Sequence, residues 1–355
     1  MSQNDAEASV TTWQFGPEGI IQRVEVAARA PLSVVADDSP HIYVLGQDGQ
    51  VQGKFRVGAQ VRRLRANDDG SMFTALAGGR VIYAFDQTGK LEWRVEFQTE
   101  VIDYAQDPGP AHIVAVGPEG KVYMHDIQSR RTFIAETNRP VQSVELLEAA
   151  PLRIGIASGE GRLSVARIDG EIAWDTDIKS RTGPICFASR AGLVAVPALD
   201  KGLILFGLRG ERKGSIDLGR PVMRAAATQD GSGFVIEAES GTLLMVDLES
   251  KVDWEWKPGP KLSDWALGGG GRVIAATQGS LELCVRDVAP PSHTRAEAPA
   301  VALHCSIPVT AGAAPSDVKS GHVRWSGKLP QDVASAGVAL LAVTRGGESG
   351  ILVSS

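Results

Sequence analysis

Guanidinium groups recur along this chain at Arg23, Arg62-Arg63, Arg139, Arg181 and Arg220, with Lys261 continuing the series. Two of them open the same tripeptide, Arg139-Pro140-Val141 and Arg220-Pro221-Val222. An arginine presents a planar fork of N–H donors that matches a carboxylate, so such a series has two possible jobs. It can grip carboxylates of a partner, which makes Arg23, Arg62, Arg63, Arg139, Arg181 and Arg220 the candidate partner-binding set. It can also neutralise acids of the same chain, for which Glu25, Glu100, Asp103 and Asp264 are the candidates. Both readings stay open at the level of sequence.

Signals for other chemistry are thin. His293, His304-Cys305 and His322 offer nitrogen and sulfur donors, but their spacing matches no zinc pattern. His41, His112 and His125 read as strand or turn residues. Asn67-Asp-Asp-Gly70 lacks the alternating acids and later glutamate of a calcium loop. There is no Gly-Lys-Ser/Thr phosphate loop and no Gly-x-Ser-x-Gly elbow. No catalytic residue, no metal site and no cofactor is expected.

The elements that position the arginines follow from a repeat. Gly79, Gly120, Gly161, Gly202, Gly241 and Gly279 each separate two short apolar runs, such as Phe73–Ala77 from Val81–Phe85. A period of about forty residues built from short strands and glycine turns is the mark of an all-β fold, the β-propeller, one four-stranded blade per repeat. The arginine series then falls in, or just before, the innermost strand of successive blades, at the rim of the central channel. Further turns at Gln47-Asp-Gly49, Asp86–Lys90 and Ile168-Asp-Gly170 connect the third and fourth strands.

Counting units gives eight blades, with seven as the alternative, in a single domain spanning 1–355. Thr11–Phe15 precedes the first complete unit and Gly350–Ser354 reads as a third strand with no fourth. The N-terminal strand is therefore expected to complete the last blade, closing the ring and removing two open sheet edges. The interval 289–322, rich in Ala, Pro and Ser, exceeds the period and reads as an elaboration within blade seven. Its alternating Val301–Val309 run is either an extra strand or the fourth strand of that blade, a place otherwise assigned to the run around Trp325.

Composition bounds the rest. Of 355 residues, 43% are hydrophobic and 22% charged, enough to bury a core. A net charge of −6 argues against an overall grip on nucleic acid. The opening Met1–Ser9 has neither a basic nor an apolar segment, and no run is long enough to span a membrane as a helix. Three scattered cysteines do not make a disulfide framework. A cytoplasmic setting without membrane insertion is the expectation.

Ala84-Phe-Asp-Gln-Thr-Gly-Lys-Leu-Glu-Trp93 resembles the Ala-x-Asp-x-x-Thr-Gly-x-x-x-Trp signature of pyrroloquinoline-quinone-like (PQQ-like) propeller repeats, one residue shorter between Asp and Thr. Ile168–Trp174, Val246–Trp254 and Val323–Trp325 are partial echoes. The resemblance implies that Trp13, Trp93, Trp174, Trp254 and Trp325 form a structural girdle between blades. It does not extend to the quinone site, because the chain has no adjacent cysteines. Trp-Asp-repeat propellers are a more distant likeness. The resulting expectation is a non-catalytic scaffold or accessory subunit that binds protein partners. The alternatives are a channel-centred enzyme of the lactonase, hydrolase or lyase type, or a small-ligand sensor.

Overall fold

A computed structural model describes residues 15–107, 111–137, 139–147, 152–257, 262–268, 272–277 and 283–287, and four further strands between 305 and 354. Its contacts divide the chain into two units, Met1–Pro290 and Pro291–Ser355.

The first unit is a succession of antiparallel sheets, each formed by consecutive strands. The first sheet holds β1 (Ile21–Val26), β2 (Ser33–Asp37), β3 (His41–Leu45) and β4 (Val51–Arg56). The second holds β5 (Val61–Ala66), β6 (Met72–Ala77), β7 (Val81–Asp86) and β8 (Leu91–Glu96). The third holds β9 (Asp103–Gln106), β10 (His112–Val116), β11 (Lys121–Asp126) and β12 (Arg131–Glu136). The fourth holds β13 (Ser143–Leu147), β14 (Arg153–Ala157), β15 (Arg162–Arg167) and β16 (Ile172–Asp177). The fifth holds β17 (Cys186–Ala188), β18 (Leu193–Ala198), β19 (Gly202–Gly207) and β20 (Arg212–Ile216). The sixth holds β21 (Val222–Ala227), β22 (Gly233–Ala238), β23 (Leu243–Asp247) and β24 (Val252–Trp256). The seventh, described with three strands, holds β25 (Leu262–Leu267), β26 (Arg272–Thr277) and β27 (Leu283–Asp287).

Burial explains why these segments become strands in this order. The second strands are almost wholly buried, as in Val34–Ala36, Phe73–Ala77 and Val194–Val196, because they lie between two neighbouring sheets. The fourth strands alternate exposed and half-buried side chains, as an outer edge must. The turn glycines between second and third strands take positive φ; at Gly161, φ is +97° and an added Cβ would lie 2.3 Å from the Ser180 carbonyl. Only glycine fits there.

The seventh sheet packs against the first. Ile21, Val24, Val35 and Tyr43 of the first sheet share one apolar cluster with Ala266, Ile274 and Ala276 of the seventh. The Val24 amide donates to Asp264 at 3.0 Å. Among the described residues no sheet stands between them, and the expected count of eight blades is not confirmed. Six four-stranded sheets and one three-stranded sheet account for the described ring. Thr11–Gln14 lies outside the described residues, whereas Phe15 is buried in the cluster that joins the first and seventh sheets.

In the second unit, β28 (Cys305–Val309) pairs with β29 (Gly321–Trp325), and β30 (Ala339–Arg345) pairs with β31 (Glu348–Ser354). Within the two runs that were rival candidates for one strand position, the described parts Cys305–Val309 and Gly321–Trp325 thus pair with each other. Most of 289–322 lies outside the described residues.

Candidate functional site

The innermost strands β1, β5, β9, β13, β17, β21 and β25 line a cavity of about 820 Å³. Alternation on these strands turns every second residue toward the cavity. The equivalent inward positions are Arg23, Arg63, Asp103, Ser143, Pro184, Arg224 and Asp264, with the pairs Arg63–Asp103 and Arg224–Asp264 each forty residues apart. Two residues further along each strand lie Glu25, Arg65, Glu145 and Cys186.

These side chains stitch neighbouring sheets together. Arg224 meets Asp264 at 2.5 Å, and Asp264 in turn accepts the Val24 amide. Arg23 Nε donates to the Arg62 carbonyl at 2.7 Å. Arg63 Nε reaches Asp103 Oδ1 at 3.3 Å, and Asp103 Oδ2 accepts the Val144 amide at 3.2 Å. Ser143 Oγ accepts the Ile185 amide at 3.2 Å. Cys186 packs in one apolar cluster with Val222 and Ala225 of the sixth sheet. The junction of the fifth and sixth sheets is apolar, and each of the other six carries one of these polar contacts. A buried amide at a sheet edge needs an acceptor, and the inward side chain of the preceding sheet provides it.

The electrostatics follow from this packing. Arg65 stands between Glu25 and Asp103, each at 3.7 Å, and burial of its guanidinium is outweighed by Asp103, Glu145 and Glu25 together. Burial raises the Glu145 carboxyl to about 7, with Arg65 opposing and Asp103 and Glu25 adding to the rise. Burial likewise raises Glu25, against the pull of Arg65. Arg23 is lowered by burial, with Asp264 opposing and Arg63 and Arg224 adding. Burial pushes the Cys186 thiol well above its ordinary range.

The six arginines of the candidate set separate into three kinds of environment. Arg23 and Arg63 lie in the channel wall. Arg62 pairs with Glu100 at 2.5 Å, and Arg220 forms a two-pronged contact with Glu255 at 3.1 and 3.2 Å, both at the surface. Arg139 and Arg181 are exposed and form no ion pair among the described residues. Arg139 borders a cleft of about 410 Å³ with Pro140, Val141, Ile172 and the Arg162–Asp175 pair. Lys261 lies outside the described residues. The channel residues Arg65, Glu145 and Arg224 were not singled out by sequence. The available signal was the forty-residue spacing of inward positions, which the adjacent Arg62-Arg63 pair obscures because only Arg63 faces in.

Of the girdle tryptophans, Trp93, Trp174 and Trp254 are half-buried. Trp174 Nε1 donates to the Leu208 carbonyl at 3.0 Å, its ring lies 5.9 Å from Phe206, and it covers Gly210 of the next sheet. Trp93 packs against the cluster that includes Leu76, Ile82 and Tyr104, and Trp254 against the cluster that includes Val235 and Met245. Trp13 lies outside the described residues, and Trp325 ends β29. The fully buried tryptophan is Trp265, whose Nε1 donates to Glu237 at 2.7 Å under the Arg224 guanidinium. Of the histidines weighed as ligands, His293 and His304 lie outside the described residues.

The fold is that of a β-propeller. Among solved structures it is similar to the β-propeller domain of Myceliophteria thermophila Cps50 (Swd1), with a TM-score of 0.69 at 12% identity, covering 79% of this chain and 99% of that one. That likeness concerns the fold alone. No family model matches the chain, the PQQ-like repeat included, and no curated protein matches it by sequence.

Proposed function

We propose that this chain is a non-catalytic scaffold or accessory subunit that holds protein partners on the surface of a propeller. The observation that carries the reading is how the channel charges are used. Arg63, Arg65 and Arg224 face Asp103, Glu25 and Asp264 within the ring, so the most concentrated set of polar groups serves cohesion. Recognition is then left to the surface, where loops vary without cost to the core. Of the candidate set, Arg139 and Arg181 are the arginines with guanidinium groups open to a partner's carboxylates, and the cleft beside Arg139 adds the exposed apolar side chain of Ile172. A cytoplasmic setting, an absence of bound quinone and the lack of a nucleic-acid partner belong to the same reading.

The test is a pull-down from the native host at endogenous levels, with Arg139→Glu and Arg181→Glu as variants. A stoichiometric protein partner that both variants weaken is the expected result. Retention of full binding by both would move the interface elsewhere, and recovery of the chain alone would overturn the scaffold reading.

One observation favours the alternative of a channel-centred enzyme or ligand sensor. Glu145, held near neutrality beside Arg65 in a cavity of about 820 Å³, is placed as a general acid or base would be. A small molecule that raises the melting temperature of the protein but not of Glu145→Gln would support that alternative.

A further inference from the structure

The outer strand β12 of the third sheet differs from its five counterparts in two independent ways. In the first, second, fourth, fifth and sixth sheets, the ladder between third and fourth strands carries a register shift near the start of the fourth strand. The β11–β12 ladder runs from Lys121↔Glu136 to Asp126↔Arg131 without one. Bulges twist an edge away from further pairing, so a regular ladder leaves a straight, accessible edge. The second difference is composition. Phe133 and Ile134 are adjacent on this strand and 58% and 60% exposed, one on each face of the sheet.

We infer that β12 pairs antiparallel with β12 of a second copy of this chain, about a two-fold axis through Phe133. Thr137 donates its amide to the Gly120 carbonyl, so the backbone groups of the alternate residues Thr132, Ile134 and Glu136 point out from the edge. A two-fold centred on Phe133 places Thr132 opposite Ile134 of the other copy in a hydrogen-bonded pair. It places Phe133 opposite its own counterpart in a non-hydrogen-bonded pair, where side chains come closest. Arg130, in the turn before β12 with a left-handed backbone (φ 55°), lies just beyond the paired strand and brings its charge to the end where Glu136 of the other copy stands, twice over. Centring the axis on Ile134 instead would set Glu136 against Thr132 and lose both charge pairs. The strand is thus self-complementary in charge, apolar surface and hydrogen bonding, as an isologous interface requires.

The area is that of one six-residue edge, which makes the dimer weak, with Kd on the order of tens of micromolar. Sedimentation equilibrium of the full chain up to about ten times that value is expected to show dimers. Phe133→Lys should abolish them without lowering the melting temperature, since Phe133 is exposed. Glu136→Arg should weaken them at low salt at least tenfold, and Arg130→Glu combined with Glu136→Arg should restore them. Under oxidation, Phe133→Cys should give a disulfide-linked dimer, because Cα atoms in a non-hydrogen-bonded pair lie about 4.5 Å apart. Thr132→Cys and the unsubstituted chain should not. A wild-type chain that stays monomeric, or dimers indifferent to Phe133→Lys, would overturn the proposal. So would cross-linking through Ile134→Cys alone, or a monomer whose β12 edge binds only an extended peptide from another protein.

Discussion

Asp264 on β25 accepts the backbone amide of Val24 on β1 at 3.0 Å, joining two residues separated by 240 positions in the chain. The same carboxylate takes the Arg224 guanidinium on its other oxygen at 2.5 Å. One side chain therefore fastens the sixth, seventh and first sheets, and it sits where the ring must close.

Removing it should be costly. Asp264→Ala leaves the Val24 amide without its acceptor and Arg224 without its counter-charge, a loss of about 2–4 kcal/mol. Asp264→Asn keeps an acceptor but not the charge, so its loss should be smaller. Urea unfolding monitored by tryptophan fluorescence provides the measurement, and equal stability of all three proteins would mean the junction is held by apolar packing alone.

A second expectation concerns pH. Glu145 binds its proton more tightly in the folded chain, at about 7, than at its ordinary value of 4.5. The native state then holds more protons than the unfolded one between those values, so stability falls as pH rises from about 4.5 to 7 and levels off above. Glu25, raised in the same direction, adds to the fall. Glu145→Gln should gain about 1–3 kcal/mol at pH 8 and nothing at pH 4. A variant that keeps the wild-type slope would place the titration elsewhere.

Packing between the fourth and fifth sheets can be probed at Gly210. Its φ is +88°, and an added Cβ would meet the Trp174 ring at 2.8 Å. Gly210→Ala should cost about 1–3 kcal/mol through backbone strain and displacement of the ring. Trp174→Ala removes a half-buried indole and should cost about 2–4 kcal/mol. Neither should weaken partner capture once stability is restored by low temperature. Loss of capture by folded Trp174→Ala would show that the indole belongs to an interface.

Phe15 tests how the chain's beginning contributes to closure. Its ring packs edge-on against Tyr43 at 5.2 Å, within the cluster shared by the first and seventh sheets. Phe15→Ala should cost about 3–5 kcal/mol. Deletion of residues 1–18 should cost more and promote aggregation, if Thr11–Phe15 also covers the outer edge of the seventh sheet. A truncated protein that melts with the intact one would exclude that closure.

The forty-residue period, the strand–turn rhythm and the positions of second and third strands were legible in the sequence, because they rest on local chemistry. Val81–Asp86 and Gly202–Gly207 are strands because their apolar runs alternate or are buried on both faces, and the glycines before them permit a turn that other residues strain. What lay beyond local chemistry was which residues meet across sheets. Arg62 and Arg63 are neighbours in sequence, yet strand alternation sends one to a surface glutamate and the other to Asp103 in the channel. Arg65 and Glu145 acquire their electrostatic character only when the inner strands converge around one cavity. The meeting of residues far apart in the chain was likewise decided in three dimensions: Ile274 and Ala276 of the seventh sheet share one apolar cluster with Val24 and Val35 of the first, a contact that no local pattern of the chain announces.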